Sequence, residues 1–403
     1  MIPPSDRLLL FSARCLRDLQ AQLSVDDESL LERDDIHRPP LCGPYRLAIV
    51  NANAQRLALA RRVLEGGTPW RGRKDVWFTQ LPLIEKSGER VAFIFPGLEQ
   101  RFDPVLDDVA AHFDLPCPDL KGTEQSVRQH SIALLSTGQF LDRTLRRIGV
   151  EPAAVAGHSI GEWNAMVSAG MISSASLDSF VDGVTPEVFN VPNCVFVAVG
   201  AGVEIAEEAV DGVEGAVVSH DNCPHQSIIC GQQEAVAVAM QRLSDRCVPT
   251  RLLNFRSGFH SPFLAPYLDW VSEIARLPIK PVAVRLWSAT TTWPFPEQEK
   301  PIRGLIIRHL LETVHFRELI ENLYDSGIRA FVQVGVGSTT GFIDDTLTGR
   351  NHITIAANVA GQPGMRQLYR VAAALWVEGA QPRFDQLAMR ERQSMVADNQ
   401  IVA

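Results

Sequence analysis

The stretch Ala153-Ala154-Val155-Ala156-Gly157-His158-Ser159-Ile160-Gly161-Glu162 constrains this chain more than any other. An apolar strand gives way to a helical run that continues from Glu162 to Ala169. The join between them is a G-x-S-x-G turn. Its glycines let the chain turn tightly, and the serine hydroxyl is presented near a helix N-terminus. That arrangement suits acyl transfer through a covalent acyl-serine. Short Gly/Ser patterns also occur by chance, so the meaning of this one depends on its company.

From about residue 91 the chain alternates strand-like and helix-like runs, as a parallel α/β core does. Val91 to Phe95 reads as a buried strand ending in Pro96-Gly97, and Ser131 to Ile148 as a long helix with Leu134, Leu135, Leu141 and Leu145 facing inward. The first 90 residues read as a separate small α/β unit. Its strands are 8–13 and 45–50, and its helix, 54–65, carries Leu57, Ala60 and Val63 on one face and is stopped by Gly66-Gly67. Between residues 193 and 255 the texture changes to strands at 195–199 and 226–230 and helices at 204–210 and 232–245. A helix and a short strand, 353–357, follow Gly337; a last helix, 365–378, precedes a polar tail from about Arg390.

Composition narrows the partners. With 403 residues the chain can bury a large core, and its net charge of −9 argues against nucleic acid. Two basic clusters, Arg71/Arg73/Lys74 and Arg143/Arg146/Arg147, are either ordinary solvated surface or places for an acidic carrier protein. Seven cysteines without C-x-x-C spacing, and no leader-like segment, point to a reducing cytoplasm. Cys223 and Cys230 read as space-filling residues rather than metal ligands. No apolar run reaches the roughly 18 residues of a membrane span, and metal-binding, Walker and dinucleotide-binding motifs are absent.

Four blocks in order, Phe95-Pro96-Gly97, Gly157-His158-Ser159-Ile160-Gly161-Glu162, Phe259-His260-Ser261-Pro262 and Val334-Gly335-Val336-Gly337, resemble the malonyl-transferase-like acyltransferases of fatty-acid and polyketide synthesis. Phe316 matches the end of that family's P-V-R-F block. The resemblance covers nearly the whole chain. It implies an α/β fold, with an α/β-hydrolase-like core at 91–192 and 256–355 and an inserted ferredoxin-like small subdomain at 193–255. It further implies an N-terminal α/β domain at 1–90 like the linker between ketosynthase and acyltransferase, and a post-acyltransferase linker at 356–403.

The same resemblance assigns roles. Ser159 is the nucleophile and His260 the base that takes its proton. The backbone N–H groups of Leu98 and Ile160 form the oxyanion hole. Such donors are worth about 2.7–4 kcal/mol each. Where the family has Gln-Gly after F-P-G, this chain has Leu98-Glu99. A backbone carbonyl in the segment containing Gln333 and Val334 is expected to fix the His260 tautomer. Gln129 is expected to wall the site. Asn222 and Gln226 either border the pocket or hold a turn, and His158 packs beside the elbow without doing chemistry.

Malonyl-type relatives hold the substrate carboxylate with an arginine, and counting from Ser159 puts that position near Val184. No Lys or Arg occurs between Arg147 and Arg242, and Asp182-Gly183-Val184-Thr185-Pro186 breaks the helix there. Ser257 and Gly258 stand before Phe259 where relatives carry a larger residue, leaving room for a bulkier acyl group. A pocket without a cation would bury a carboxylate unpaired, at high cost. The expectation is therefore an acyltransferase for an acyl group lacking a free carboxylate, unless Arg308 or Arg317 reaches in. It would take acyl-coenzyme A or a phosphopantetheinyl carrier thioester as substrate, with no permanent cofactor. Its partner would be an acyl carrier protein, with ketosynthase or other synthase domains through the linker regions; neither nucleic acid nor a membrane is implied. The alternatives are a hydrolase using the same pair, a malonyl-type transferase, and a docking module without catalysis.

Overall fold

The computed structural model describes residues 7–33, 35–37, 39–40, 43–84, 89–122, 126–183, 191–254, 256–268 and 271–388. Three sheets organise them. The first contains β1 (Leu8–Ala13), β2 (Tyr45–Val50), β3 (Trp70–Arg71) and β4 (Val76–Thr79), antiparallel throughout in the order β1-β2-β4-β3. Alternate residues of a strand point to opposite faces. Leu9, Phe11, Leu47, Ile49, Val76 and Phe78 accordingly pack under the helices Leu16–Leu23 and Ala54–Gly66. Leu8, Leu10, Ala48, Val50 and Trp77 join the main core instead, where the C-terminal helix Gly364–Val377 covers them. The described parts of 1–90 and 356–403, read from the sequence as opposite ends, therefore share one packed layer.

The central sheet is parallel: β5 (Val91–Phe95), β6 (Ala154–Gly157), β11 (Arg285–Leu286), β13 (Ala330–Gln333) and β14 (Ile353–Ala356) run in the order β11-β6-β5-β13-β14. The helix Val127–Arg147 packs beside the helix Gly161–Ser168 that follows β6. It begins four residues earlier than its leucine spacing indicates, because Ser126 caps it through a bond from the Gln129 N–H.

In the third sheet, β7 (Cys194–Val199), β8 (Ala216–Cys223), β9 (Gln226–Gln232) and β10 (Thr250–Leu252) pair antiparallel in the order β10-β7-β9-β8. The free edge of β8 takes a parallel strand, β12 (Val314–His315), from outside 193–255, and Thr313 Oγ1 fastens it to the Val218 carbonyl at 2.8 Å. The boundary drawn at 255 therefore omits a strand of this sheet, and β12 ties it to the central layer. In open parallel sheets, ligands sit beyond the carboxyl ends of the strands. The ends of the neighbouring strands β6, β5 and β13 carry Ser159, the Pro96-Gly97-Leu98 loop and the Gln333–Gly337 segment respectively.

Candidate active site

Ser159 sits at φ +53°, a left-handed conformation that costs a non-glycine residue of order 1–3 kcal/mol. The surrounding glycines make this turn possible. A Cβ on Gly157 would lie 2.1 Å from the Glu162 nitrogen, and one on Gly161 2.1 Å from the Phe95 carbonyl oxygen. The elbow thus presses against the end of β5, and no side chain fits at either position.

Ser159 Oγ lies 2.7 Å from His260 Nε2. His260 is buried and itself at φ +60°. Its Nδ1 lies 2.8 Å from the backbone oxygen of His309, near the end of the helix Glu299–Leu311. A carbonyl can only accept, so Nδ1 carries the proton and Nε2 is free to accept from the serine. Burial, and then the nearby His309 and His158, hold His260 well below the usual histidine pKa, so the ring is neutral at pH 7.

The expected orienting segment is therefore corrected: His309 supplies the carbonyl, not Gln333 or Val334. Gln333 is consumed within its own loop. Its Nε2 donates to the Gly335 oxygen at 3.0 Å, and its Oε1 accepts from Thr339 Oγ1 at 2.8 Å and the Thr340 N–H at 3.2 Å. Val334 is bonded to the Ile94 carbonyl in the sheet extension. The glycines beyond pack on the turn that carries Leu98: a Cβ on Gly337 would lie 2.4 Å from Pro96 Cβ. Glu99, the departure after Phe95-Pro96-Gly97, accepts from the N–H and hydroxyl of Ser338 at 2.7 and 2.9 Å. The loop is thus fastened on its far side.

The side chain of His309 was not singled out in the sequence, yet it touches the serine's own backbone. Its Nε2 lies 3.1 Å from the Ser159 oxygen, and its Nδ1 lies 3.3 Å from Thr290 Oγ1 and 3.5 Å from Glu162 Oε2. Glu162 is fully buried and accepts from Ser288 Oγ and the Ala289 N–H at 3.0 and 2.8 Å. On β8, His220 and Asn222 are two residues apart and share a face. His220 stacks on His158 at 5.3 Å and meets His260 edge-on at 4.9 Å. Asn222 Oδ1 binds His158 Nε2 at 2.7 Å, and its Nδ2 donates to Gln226 Oε1. Burial takes His158 down to about 4, so this ring too is neutral. Asn222 therefore braces His158 from behind instead of bordering the pocket, because its strand lies on the far side of that ring.

The pocket at Ser159 holds about 70 Å³ and is lined among the described residues by Leu98, Ser131, Leu135, Ile160, Trp163, Phe180, Val181, Phe259, His260, His309 and Leu310 together with the serine. Trp163 and Phe180 stack at 4.6 Å. Leu98 and Ile160 both border it, and no hydrogen bond among the described residues uses either backbone N–H. Three expected wall residues are elsewhere. Gln129 is exposed and folds over Gly122. Ser257 is buried with its carbonyl toward Cys230, and Gly258 packs on the turn Phe263-Leu264. Only Phe259 of that trio reaches the pocket. Val184 lies outside the described residues.

Among the described residues no lysine or arginine lines the cavity. Arg308 is held by Glu312 and Arg317 by Asp221 and Glu204, and Arg128, the nearest by sequence to Gln129, pairs with Asp182. Of the surface clusters, Arg71 binds Glu378 and Arg146 binds Asp142 and Glu151. Among the described residues no helix is long and apolar enough to cross a membrane, and no His/Cys/Asp/Glu group is arranged to hold a metal.

Residues 78–366 match the model of a family described as the acyl transferase domain. The chain is 23% identical over 83% of its length to the type I polyketide synthase of phenolphthiocerol synthesis from Mycobacterium marinum, of which it spans only 17%. It is 29% identical over 51% of its length to the malonyl CoA-acyl carrier protein transacylase of Bacillus subtilis, covering 68% of that protein. In fold it is similar to the acyltransferase domain of module 8 of the salinomycin polyketide synthase, with a TM-score of 0.76 at 19% identity over 94% of this chain and 97% of that one.

Proposed function

The chain belongs to the acyl transferase domain family, and from that premise we propose that it moves an acyl group lacking a free carboxylate from a coenzyme A or carrier-protein thioester to the phosphopantetheine thiol of an acyl carrier protein, by way of an ester on Ser159. His260 Nε2 takes the hydroxyl proton as Oγ attacks the thioester carbonyl. The free N–H groups of Leu98 and Ile160 are the donors available to the oxyanion. Collapse forms the Ser159 ester and breaks the C–S bond, and the imidazolium returns its proton to the departing thiolate. A carrier thiol then repeats the sequence in reverse. In this reading the parallel sheet is the hydrolase-like core and the 194–252 sheet the ferredoxin-like subdomain, with linker contacts to neighbouring synthase domains through the N-terminal layer.

The observation that carries the substrate class is the charge of the pocket. Among the described residues its walls are mostly apolar and carry no lysine or arginine, and the arginines that could have reached it are each committed to a carboxylate. Burying an unpaired carboxylate there costs several kcal/mol. Ser257 and Gly258 lie outside the lining, so the room they implied for a bulky group is not supplied by these two residues. The test is competition among acetyl-, butyryl-, octanoyl- and malonyl-coenzyme A for transfer to pantetheine. Butyryl-pantetheine is expected to exceed malonyl-pantetheine at least tenfold. Dominant malonyl transfer removes the substrate claim, and accumulation of free acid in place of acyl-pantetheine replaces transfer with hydrolysis.

A further inference from the structure

A second cavity shares no lining residue with the pocket at Ser159. It lies where the helix Ala54–Gly66 of the N-terminal layer faces the C-terminal helix Gly364–Val377, and it holds about 560 Å³. Arg56, Arg62, Lys74, Arg366 and Arg370 line it, with Asp75 as the one acidic residue among the lining. Lys74 and Asp75 are consecutive non-glycine residues at φ +58° and +61°, which turns the Asp75 carboxylate inward.

Asp75 is buried and receives three guanidinium groups, those of Arg56 and Arg366 at 2.6 Å and that of Arg370. One negative charge thus answers three positive ones. Arg62 and Lys74 add two more at the exposed rim. Arg366 Nε and Arg370 Nε are buried atoms with no acceptor among the described residues. Arg366 and Arg370 are one helical turn apart and each takes one oxygen of the single Asp75 carboxylate, so that carboxylate is shared and neither arginine has it to itself. The crowding is visible in Arg370, which is depressed by burial despite Asp75, with Arg366 and Arg56 pushing the same way.

We infer that this cleft is a binding site for a small phosphate-bearing anion carrying two or more negative charges, held by the Arg366 and Arg370 guanidinium groups with Arg62 and Lys74 at the rim. Guanidinium forks match phosphate oxygens in pairs, and the Arg366 and Arg370 side chains are partly exposed in the cleft, 30% and 27%. The volume lies within the range of ligand pockets, roughly 300–1,000 Å³. A ligand there bridges the N-terminal layer and the C-terminal helix, so its binding stabilises the whole chain.

The experiment is isothermal titration calorimetry of the full chain with inorganic pyrophosphate, and with inorganic phosphate and chloride as comparisons, at fixed ionic strength. Saturable binding of pyrophosphate at one site is expected, tighter than phosphate and absent for chloride. Arg366→Gln with Arg370→Gln is expected to abolish it. Because those residues also hold Asp75, Arg62→Gln with Lys74→Gln is the second variant: neither side chain is bonded to Asp75, and at least fivefold weaker binding is expected with an unchanged circular dichroism spectrum. Absence of saturable pyrophosphate binding, or equal affinity in the folded Arg62→Gln/Lys74→Gln protein, overturns the inference.

Discussion

His309 holds both members of the reacting pair: its carbonyl fixes His260 and its ring reaches the backbone of Ser159. His309→Ala keeps the carbonyl and removes the ring. The Ser159 oxygen then keeps only the Glu162 N–H at 2.9 Å, and a void opens beside the reacting pair. We expect the acylation rate to fall roughly five- to hundredfold at unchanged secondary structure, with partial recovery in His309→Gln; stopped-flow acylation of both variants checks this. The pH profile belongs to the same scale. His260 acts as its neutral form, and burial with His309 and His158 nearby depresses its pKa. Acidification therefore stops catalysis only well below the ordinary histidine value of about 6.5. An acid limb of the acylation rate at or above that pH contradicts the assignment. The two reacting groups were legible because each lies in a short motif with its own glycine or proline punctuation. His309 and His220 were not. They sit in an ordinary helix and an ordinary strand, and only the pairing of those elements across the chain brings them to Ser159.

At the scale of elements, the site depends on close backbone approaches that allow no side chain. Gly337 touches Pro96, whose loop carries Leu98. Gly337→Ala forces a Cβ to within 2.4 Å of Pro96 Cβ and must displace that loop. Acylation is expected to drop at least tenfold while the far-ultraviolet circular dichroism spectrum is kept; wild-type acylation in this variant argues against a part for the Leu98 loop. Most elements could be read from periodicity and stops, such as the helix Ala54–Gly66 with its glycine cap. The two-residue strand Val314–His315 could not, because it has no pattern of its own and exists only through the open edge of β8. The Gln333–Gly337 segment misled for a related reason. Its spacing announces a tight turn but not which neighbour the turn serves.

Across the whole molecule, the C-terminal helix makes one body of the N-terminal sheet and the central core. Trp376 is 2% exposed on that helix, its ring lies 5.5 Å from the Arg46 guanidinium, and its carbonyl accepts from Arg46 Nη1 at 2.6 Å. Trp376→Ala is expected to cost about 3–5 kcal/mol, read as a fall in the urea midpoint at unchanged slope. Two separated transitions in the wild type would mean that the sheet and core fold apart. The strands of the N-terminal unit and the last helix could be read from the sequence, but not their meeting, since several hundred residues separate strands and helix and no local pattern records that distance.

The most direct measurement is the intact mass of the protein after brief exposure to an equimolar mixture of butyryl- and malonyl-coenzyme A, with Ser159→Ala in parallel. The account predicts a single butyryl adduct on the wild type and none on Ser159→Ala. A malonyl adduct in its place, or a butyryl adduct that survives loss of the hydroxyl, would contradict it.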